Sequence, residues 1–168
     1  MNLFNKLIFK KSISNELKDI KNLLIKECLS QRNKRNKSAF NFNVNSQHTN
    51  YLYNIFYNIS KNHLNNFTLL DVDFKLWCLI TDKKFNNNMW HNHMKTSSIN
   101  CVIYLQTQNK GINFKYKNKE IYYLPQDNDI LIFPSFLDHL PEVSKKEPRI
   151  TLNLELRCNE PVEHIFNI

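Results

Sequence analysis

The chain has 168 residues, 42% of them hydrophobic, which is enough to bury one core and too few for several domains of ordinary size. Its formal net charge is +8, and its four cysteines are widely spaced, with no Cys-x-x-Cys pair. No apolar run is long enough for a signal peptide or a membrane span, so the sequence predicts one intracellular, soluble domain, 1–168, without a disulfide framework.

Glycine is nearly absent from the chain. Gly111 is the only one, whereas asparagine and lysine are abundant, a composition typical of an AT-rich or viral genome. We expect asparagine to occupy the left-handed turn positions that glycine usually takes, because its short polar side chain tolerates that conformation.

The first 66 residues are predicted to form a helical layer. Residues 3–9 alternate apolar side chains loosely and could form a strand. A helix with Ser14 as its N-cap is predicted to run to about residue 29, and a second from about 49 to 61. Their apolar stripes contain Leu17, Ile20, Leu24 and Cys28 in the first helix, and Leu52, Ile55, Phe56 and Ile59 in the second. Residues 31–38 between them are expected to be a polar, basic connector.

Residues 1–37 form a basic arm with ten Lys or Arg against three acids. Such an arm can attract nucleic acid or an anionic membrane. A solvated helix followed by a mobile basic loop has the same composition, and we favour this simpler interpretation. Nucleic acid is therefore kept as an alternative partner, and no membrane partner is expected.

After residue 66 the hydrophobic pattern changes from the period of a helix to that of a strand. The predicted strands are 67–70, 74–81, 99–106, 114–116, 121–124, 129–133 and 149–157. Turn signals separate them at 82–84, 109–111 and 126–128. Because the pattern has no crossover helices, we expect an antiparallel sandwich or open barrel over 67–168, with the helical layer 1–66 on one face.

Three histidines in two short segments are candidates for a metal site. His91 and His93 are two residues apart, so on an extended segment their side chains point to the same face. His139 follows an apolar strand and a Pro-Ser turn. Two ligands from one strand and one from a distant strand predict a mononuclear metal site, but imidazole binds iron, zinc, copper and nickel, so the residues alone do not name the metal.

Arg149 and Thr151 open the last predicted strand and lie on the same face of it. An arginine inside a barrel is unfavourable unless it meets an anion, and its planar fork fits a carboxylate. The alternative is a surface position following Lys145 and Lys146, and the spacing does not decide between the two.

The sequence around these residues resembles the 2-oxoglutarate/Fe(II) oxygenase superfamily over about residues 74–157. Within it, the chain is most similar to a group of poorly characterised bacterial and viral members that carry His-x-His and Leu-Phe-Pro-Ser-Trp-Leu-x-His segments. The matching segments here are His91-x-His93, Asn100-Cys-Val-Ile-Tyr-Leu105, Asp129-x-Leu-Ile-Phe-Pro-Ser-Phe-Leu-x-His139 and Arg149-Ile-Thr151.

The resemblance implies a double-stranded β-helix, the cupin-like jelly roll, with Fe(II) held by His91, His93 and His139. The commonest superfamily pattern has Asp or Glu where this chain has His93. A site with three histidines lacks the negative charge of that carboxylate, which would change its metal affinity and redox tuning.

The resemblance also implies a co-substrate site and an activity. Arg149 and Thr151 would bind the distal carboxylate of 2-oxoglutarate, and Tyr104 would add a hydroxyl. With dioxygen, 2-oxoglutarate would be converted to succinate and carbon dioxide while a C–H bond of an unidentified substrate is hydroxylated. Loops 82–90, 107–114 and 140–147 are expected to surround the mouth of the barrel.

Two other functions are open on the sequence. One is a three-histidine cupin-type dioxygenase that binds its substrate directly and uses no 2-oxo acid. The other is a non-enzymatic jelly-roll binding module whose basic residues 1–37 bind nucleic acid or a protein partner.

Overall fold

The computed structural model describes residues 4–70, 75–84 and 89–168. The helices within these residues are α1 Phe4–Leu7, α2 Ser14–Leu17, α3 Lys21–Arg35, α4 Ser46–His63 and α5 Val162–Ile165. The strands are β1 Phe9–Ser12, β2 Ala39–Asn41, β3 Lys75–Thr81, β4 Ile99–Gln106, β5 Ile112–Tyr116, β6 Lys119–Tyr123, β7 Asp129–Pro134, β8 Asp138–Pro141 and β9 Arg149–Leu156.

Two antiparallel sheets form a jelly roll. The larger sheet has the order β1-β7-β4-β9-β3-β2, and the smaller has the order β6-β5-β8. His91 pairs with His139 in an isolated bridge, so the His91 segment extends the smaller sheet beside β8. The predicted double-stranded β-helix with a helical layer is confirmed.

The central strands of the larger sheet, β7, β4 and β9, are buried on both faces, which explains their long apolar runs. Strand β9 reads Arg-Ile-Thr-Leu-Asn-Leu-Glu-Leu, and all eight residues are buried. Its apolar residues, such as Leu152, belong to a core shared with Leu24 of α3 and Phe56 of α4. Its polar residues alternate with these and therefore face the smaller sheet, where a second core contains Tyr104 and Phe114.

Helices α2, α3 and α4 cover the face of the larger sheet that points away from the smaller one, whereas Phe4 and Leu7 of α1 are buried in the second core. Helix α4 begins at Asn45, whose side chain accepts a hydrogen bond of 2.8 Å from the His48 N–H, as a helix cap does. Its predicted apolar stripe is buried, with Leu52, Ile55, Phe56 and Ile59 all below 9% exposure. Among the described helices, none is both long and apolar enough to cross a bilayer.

The first predicted helix differs from the structure at both ends. Residue Ile13, not Ser14, is the N-cap of α2, and its side chain makes no capping bond. The helix is interrupted after Leu17, and α3 then continues to Arg35, so the predicted connector 31–38 is helical over most of its length. Asn36 ends α3 with a left-handed φ of 48°, which is a common way to stop a helix.

Other element predictions were wrong because the elements are short. Residues 4–7 are helical rather than extended, and the first strand starts at Phe9; residue 3 lies outside the described residues. The predicted strand 67–70 makes only the bridge between Leu69 and Cys158. Residue 74 of the predicted strand 74–81 is also outside the described part. Strands β2 and β8 and helix α5 were not predicted, since each has three or four residues and too little periodicity to detect.

Several cations of the basic arm pair with carboxylates of other segments. Lys10 lies 3.6 Å from Asp129, Lys21 lies 3.2 Å from Asp127, and Arg32 forms an ion pair with Asp82. Part of the positive charge of residues 1–37 therefore holds the N-terminal elements against the rest of the fold.

Asparagine takes most of the left-handed turn positions, as the sequence predicted. The non-glycine residues with positive φ are Asn36, Gln108, Asn109, Lys117, Asn118, Asn128 and Asn167. The consecutive pair Lys117 and Asn118 joins β5 to β6 with the two positive φ angles of a type I′ hairpin turn.

Gly111 is required for space and not for its backbone angle, because no glycine here has a positive φ. A Cβ at this position would lie 2.2 Å from the carbonyl oxygen of Tyr123 and 2.7 Å from the ring of Tyr122. Any side chain would therefore push β6 away from the segment that leads into β5.

Gly111→Ala is expected to lower the free energy of unfolding by about 1–3 kcal/mol, the usual penalty for overpacking. Urea denaturation followed by tryptophan fluorescence measures this change. The control Asn113→Ala lies two residues further along, on β5, and is half-buried; its effect should be smaller. Equal stability of Gly111→Ala and the wild type would contradict the close approach of β6.

Candidate metal centre and co-substrate pocket

The three predicted histidines come together at one edge of the smaller sheet. The His91 and His139 backbones exchange hydrogen bonds of 3.2 and 2.9 Å, and the His93 N–H donates to the Ser135 carbonyl at 2.8 Å. One possible ligand atom from each side chain lies within 4.8 Å of the others. Asn92, between the two histidines, donates to Asp138 at 2.8 Å and so fastens this segment to β8. This arrangement can hold one metal ion on a single face.

The hydrogen bonds of the rings decide which nitrogen is free. Nδ1 of His91 lies 3.0 Å from the Met89 carbonyl, and Nδ1 of His139 lies 3.0 Å from the Leu137 carbonyl. Nδ1 of His93 lies 3.2 Å from Oε1 of Glu155. A ring nitrogen that faces an acceptor carries the proton, so Nε2 of each ring is the atom available to a metal.

Two of these histidines are neutral at neutral pH. Burial, followed by the charge of His91, lowers the pKa of His139 to about 3. Burial is also the main reason that the pKa of His91 lies below its ordinary value. Neutral imidazole is the form that binds a metal, so a metal ion has no proton to displace from these two rings near pH 7.

Glu155 is a carboxylate that the sequence analysis did not single out. Its side chain is 8% exposed and bonds to His93, and its Oε1 also accepts from the Trp77 ring N–H at 3.2 Å. Burial raises the pKa of Glu155, but the hydrogen bond and charge of His93 outweigh it and hold the pKa below its ordinary value. Glu155 is therefore ionised beside the three histidines.

Arg149 lies inside the sandwich and is 1% exposed, so the alternative of a surface arginine is wrong. Its side chain shares the inner face of the larger sheet with Thr151, and Tyr104 pairs with Thr151 across β4 and β9. The guanidinium carbon lies 5.3 Å from the centre of the Tyr104 ring. The three residues predicted for the co-substrate are thus neighbours.

The guanidinium lacks a full set of partners. Its Nε and one Nη donate long hydrogen bonds of 3.5 Å to the carbonyls of Lys110 and Gly111. The other Nη and the Tyr104 hydroxyl are buried and have no hydrogen-bond partner among the described residues. Burial lowers the pKa of Arg149 and raises that of Tyr104. Two unpaired donors side by side fit an anion with two oxygens, such as a carboxylate.

The wall behind Arg149 is itself fixed by hydrogen bonds. The Gly111 N–H and the Tyr122 hydroxyl both donate to Oε2 of Glu142 at 2.7 Å. Burial raises the pKa of Glu142, but these bonds and the charges of Lys110 and Arg149 bring it below its ordinary value. The predicted mouth loops 107–114 and 140–147 therefore meet beside the arginine.

The polar residues of β9 form a row that runs from one end of the site to the other. The row consists of Arg149, Thr151, Asn153 and Glu155, all at or below 7% exposure. Near Glu155, a cavity of about 10 Å³ is lined by His93, His139, Trp77 and Asn100, among other residues. The strict alternation of polar and apolar residues in β9 was the signal in the sequence that would have identified Asn153 and Glu155.

An apolar surface lies next to the histidines. Met89 and Met94, which flank the His-x-His segment, are 68% and 63% exposed, and Trp90 is also exposed. A groove of about 430 Å³ begins at Met94 and is lined by the side chains of Tyr116 and Phe136. Within the predicted mouth loop 82–90, residues 85–88 lie outside the described part of the chain.

Solved structures with the same fold are oxygenases. A prolyl-4-hydroxylase from Pseudomonas putida matches with a TM-score of 0.63 and 13% identity, covering 91% of this chain and 88% of its own. A prolyl hydroxylase from Trichoplax adhaerens, in complex with a peptide fragment of the hypoxia-inducible factor oxygen degradation domain, matches with a TM-score of 0.61 and 14% identity. It covers 92% of this chain and 85% of its own.

A prolyl 4-hydroxylase from Phytophthora capsici matches with a TM-score of 0.59 and 13% identity, covering 81% of this chain and 54% of its own. No protein-family model and no curated protein sequence matches the chain. At these identities the matches establish that the chain shares its fold with prolyl hydroxylases.

Proposed function

We propose that the protein is an Fe(II)- and 2-oxoglutarate-dependent dioxygenase that hydroxylates an organic substrate. The observation that carries the proposal is the buried guanidinium of Arg149: one of its nitrogens, like the neighbouring Tyr104 hydroxyl, has no hydrogen-bond partner among the described residues. A buried charge without a counterion is unfavourable, so a site that keeps one is suited to an anionic ligand.

The three histidines would hold the iron through their Nε2 atoms. His91 and His139 are kept in the required tautomer by backbone carbonyls, and His93 is kept in it by Glu155. These three nitrogens would hold Fe(II), which would supply the open coordination positions that reaction with a 2-oxo acid and dioxygen requires. The donor set therefore fits Fe(II).

The distance between the two ends of the site fits a five-carbon diacid. His139 pairs with Phe114 in the smaller sheet, and Gly111, which contacts Arg149, is three residues earlier in the chain. At about 3.3 Å per residue, the backbones of Phe114 and Gly111, which lie at the two ends of the site, are separated by roughly 10 Å. A metal-bound 2-oxo acid can span this distance and place its distal carboxylate against Arg149, Tyr104 and Thr151.

Bound Fe(II), together with dioxygen and 2-oxoglutarate, supplies the oxidising chemistry, in which 2-oxoglutarate becomes succinate and carbon dioxide while a substrate C–H bond is hydroxylated. The protein positions the reactants and excludes water from the site. The rings of Phe114 and Phe133 lie 6.1 and 5.1 Å from that of His139 and cover its inner side.

We propose an extended polypeptide as the substrate class to test first. Met89, Trp90 and Met94 are exposed beside the histidines, and the groove of about 430 Å³ that starts at Met94 has both apolar and polar lining residues, as a polypeptide with a polar backbone requires. One matched structure, the Trichoplax prolyl hydroxylase, holds a peptide fragment.

Titration of the apo-protein with Fe(II) and then 2-oxoglutarate under anaerobic conditions should produce a visible metal-to-ligand charge-transfer band. The band should saturate at one iron per chain and be absent from His139→Ala, because that variant lacks one of three ligands. The control His164→Ala removes an exposed histidine of α5 and should behave as the wild type.

The same titration separates the alternatives. Iron binding without the band would favour a dioxygenase that binds its substrate directly. A wild-type protein that binds no iron would contradict the metal centre and favour a non-enzymatic module, for which salt-sensitive binding of nucleic acid to residues 1–37 is the next measurement.

Arg149→Ala should leave iron binding intact and weaken 2-oxoglutarate binding by at least about 30-fold, since truncating one side of a buried charge pair is worth at least about 2 kcal/mol. Tyr104→Phe removes one neutral donor and should weaken it by about 3- to 10-fold. The band titration measures both affinities.

The matched control for this prediction is Arg157→Ala, which removes an exposed arginine just after β9. It should leave the affinity for 2-oxoglutarate unchanged. An Arg149→Ala variant with wild-type affinity would show that the co-substrate carboxylate does not bind at this guanidinium.

A further inference from the structure

We propose that Glu155 is the anionic partner of the metal centre and supplies, through His93, the negative charge that three neutral imidazoles lack. This inference rests on the proposed iron site. It assigns a role to a residue that lies outside the three candidate ligands and outside the co-substrate pocket.

The three histidines differ in what holds their Nδ1 atoms. For His91 and His139 the acceptor is a backbone carbonyl two residues earlier in the chain, Met89 and Leu137 respectively. For His93 alone the acceptor is a carboxylate, at 3.2 Å. A carboxylate that accepts from the far side of a metal-binding imidazole makes that ring a stronger donor, whereas a neutral carbonyl has a smaller effect.

The only other cation that acts on Glu155 among the described residues is Lys75, its partner across β3 and β9, and Lys75 lowers the pKa of Glu155 less than His93 does. Among the described residues, no lysine or arginine forms an ion pair with this carboxylate, although its side chain is only 8% exposed. Its Oε2 is buried and has no hydrogen-bond partner in that part of the chain. Burying a carboxylate with one unpaired oxygen is unfavourable unless a positive charge binds close to it.

Trp77 fixes the orientation of the Glu155 side chain. The Trp77 ring N–H donates to Oε1, the same oxygen that faces His93, and the Trp77 and His93 rings lie 6.1 Å apart. The contact between Trp77 and Glu155 follows from the pairing of β3 with β9. Lys75 is directly opposite Glu155 in this pairing, and Trp77 is two residues after Lys75 on β3. The carboxylate is therefore held against His93 by the larger sheet itself.

The test compares Co(II) binding to the apo-protein and to Glu155→Gln, which keeps the shape of the side chain and removes its charge. We expect the Co(II) dissociation constant of Glu155→Gln to rise by about 10- to 100-fold, the usual effect of losing such a partner. The visible bands of bound Co(II) should also shift, since His93 becomes a weaker donor.

Two further variants make the result specific. Glu155→Asp keeps the charge and should bind Co(II) more tightly than Glu155→Gln. Glu120→Gln removes a carboxylate of β6 that is 56% exposed, and it should bind Co(II) as the wild type does.

Trp77→Phe is the substitute if Glu155→Gln does not fold. It removes the N–H that orients the Glu155 carboxylate and should raise the Co(II) dissociation constant by a smaller factor, about 3-fold.

The outcomes separate this inference from the proposed function. A wild-type protein that does not bind Co(II) would overturn the metal centre and the inference together. Tight wild-type binding with the same dissociation constant and bands in Glu155→Gln, or in Trp77→Phe if that variant is used, would overturn the inference and leave the metal centre in place. A lower melting temperature of the apo variant with unchanged Co(II) binding would assign Glu155 a purely structural role.

Discussion

The burial of Arg149 is the constraint on which the rest of the structure depends. Removing a guanidinium from water has a large desolvation cost, which an anion or a full set of hydrogen bonds must offset. Here the protein offers two long bonds to carbonyls and the face of Tyr104, and one nitrogen stays unpaired. If an anion supplies the missing partner, as proposed above, its binding should stabilise the folded state.

Strand β9 links this constraint to the fold. It lies between β4 and β3 near the middle of the larger sheet, with its apolar residues in the core shared with the helices and its polar row facing the smaller sheet. A shift of one residue in register would turn Arg149 and Glu155 toward the helices and expose Leu152 to the site. The same alternation therefore specifies both the register of the sheet and the positions of the site residues.

The sequence predicted most accurately the elements that have a long hydrophobic pattern. Strand β4 was predicted at the bounds observed, 99–106, and the histidines and Arg149 were identified as residues whose chemistry needs a partner. Strands β2 and β8 were missed because three or four residues carry no usable periodicity. Glu155 was missed for a different reason: its importance comes from its contact with His93, which depends on how two distant segments pack.

The contact between His93 and Glu155 bears on the proposed metal centre, because all three of its candidate ligands are histidines. If His93 binds the metal as proposed, the negative charge would lie one hydrogen bond farther from the metal, on Glu155, instead of on a ligand atom. Glu155 and Arg149 belong to the same strand, six residues or about 20 Å apart along it. The anion that would face the metal and the cation that would face the co-substrate are therefore fixed relative to each other by one backbone, and a displacement of β9 would disturb both ends of the site at once.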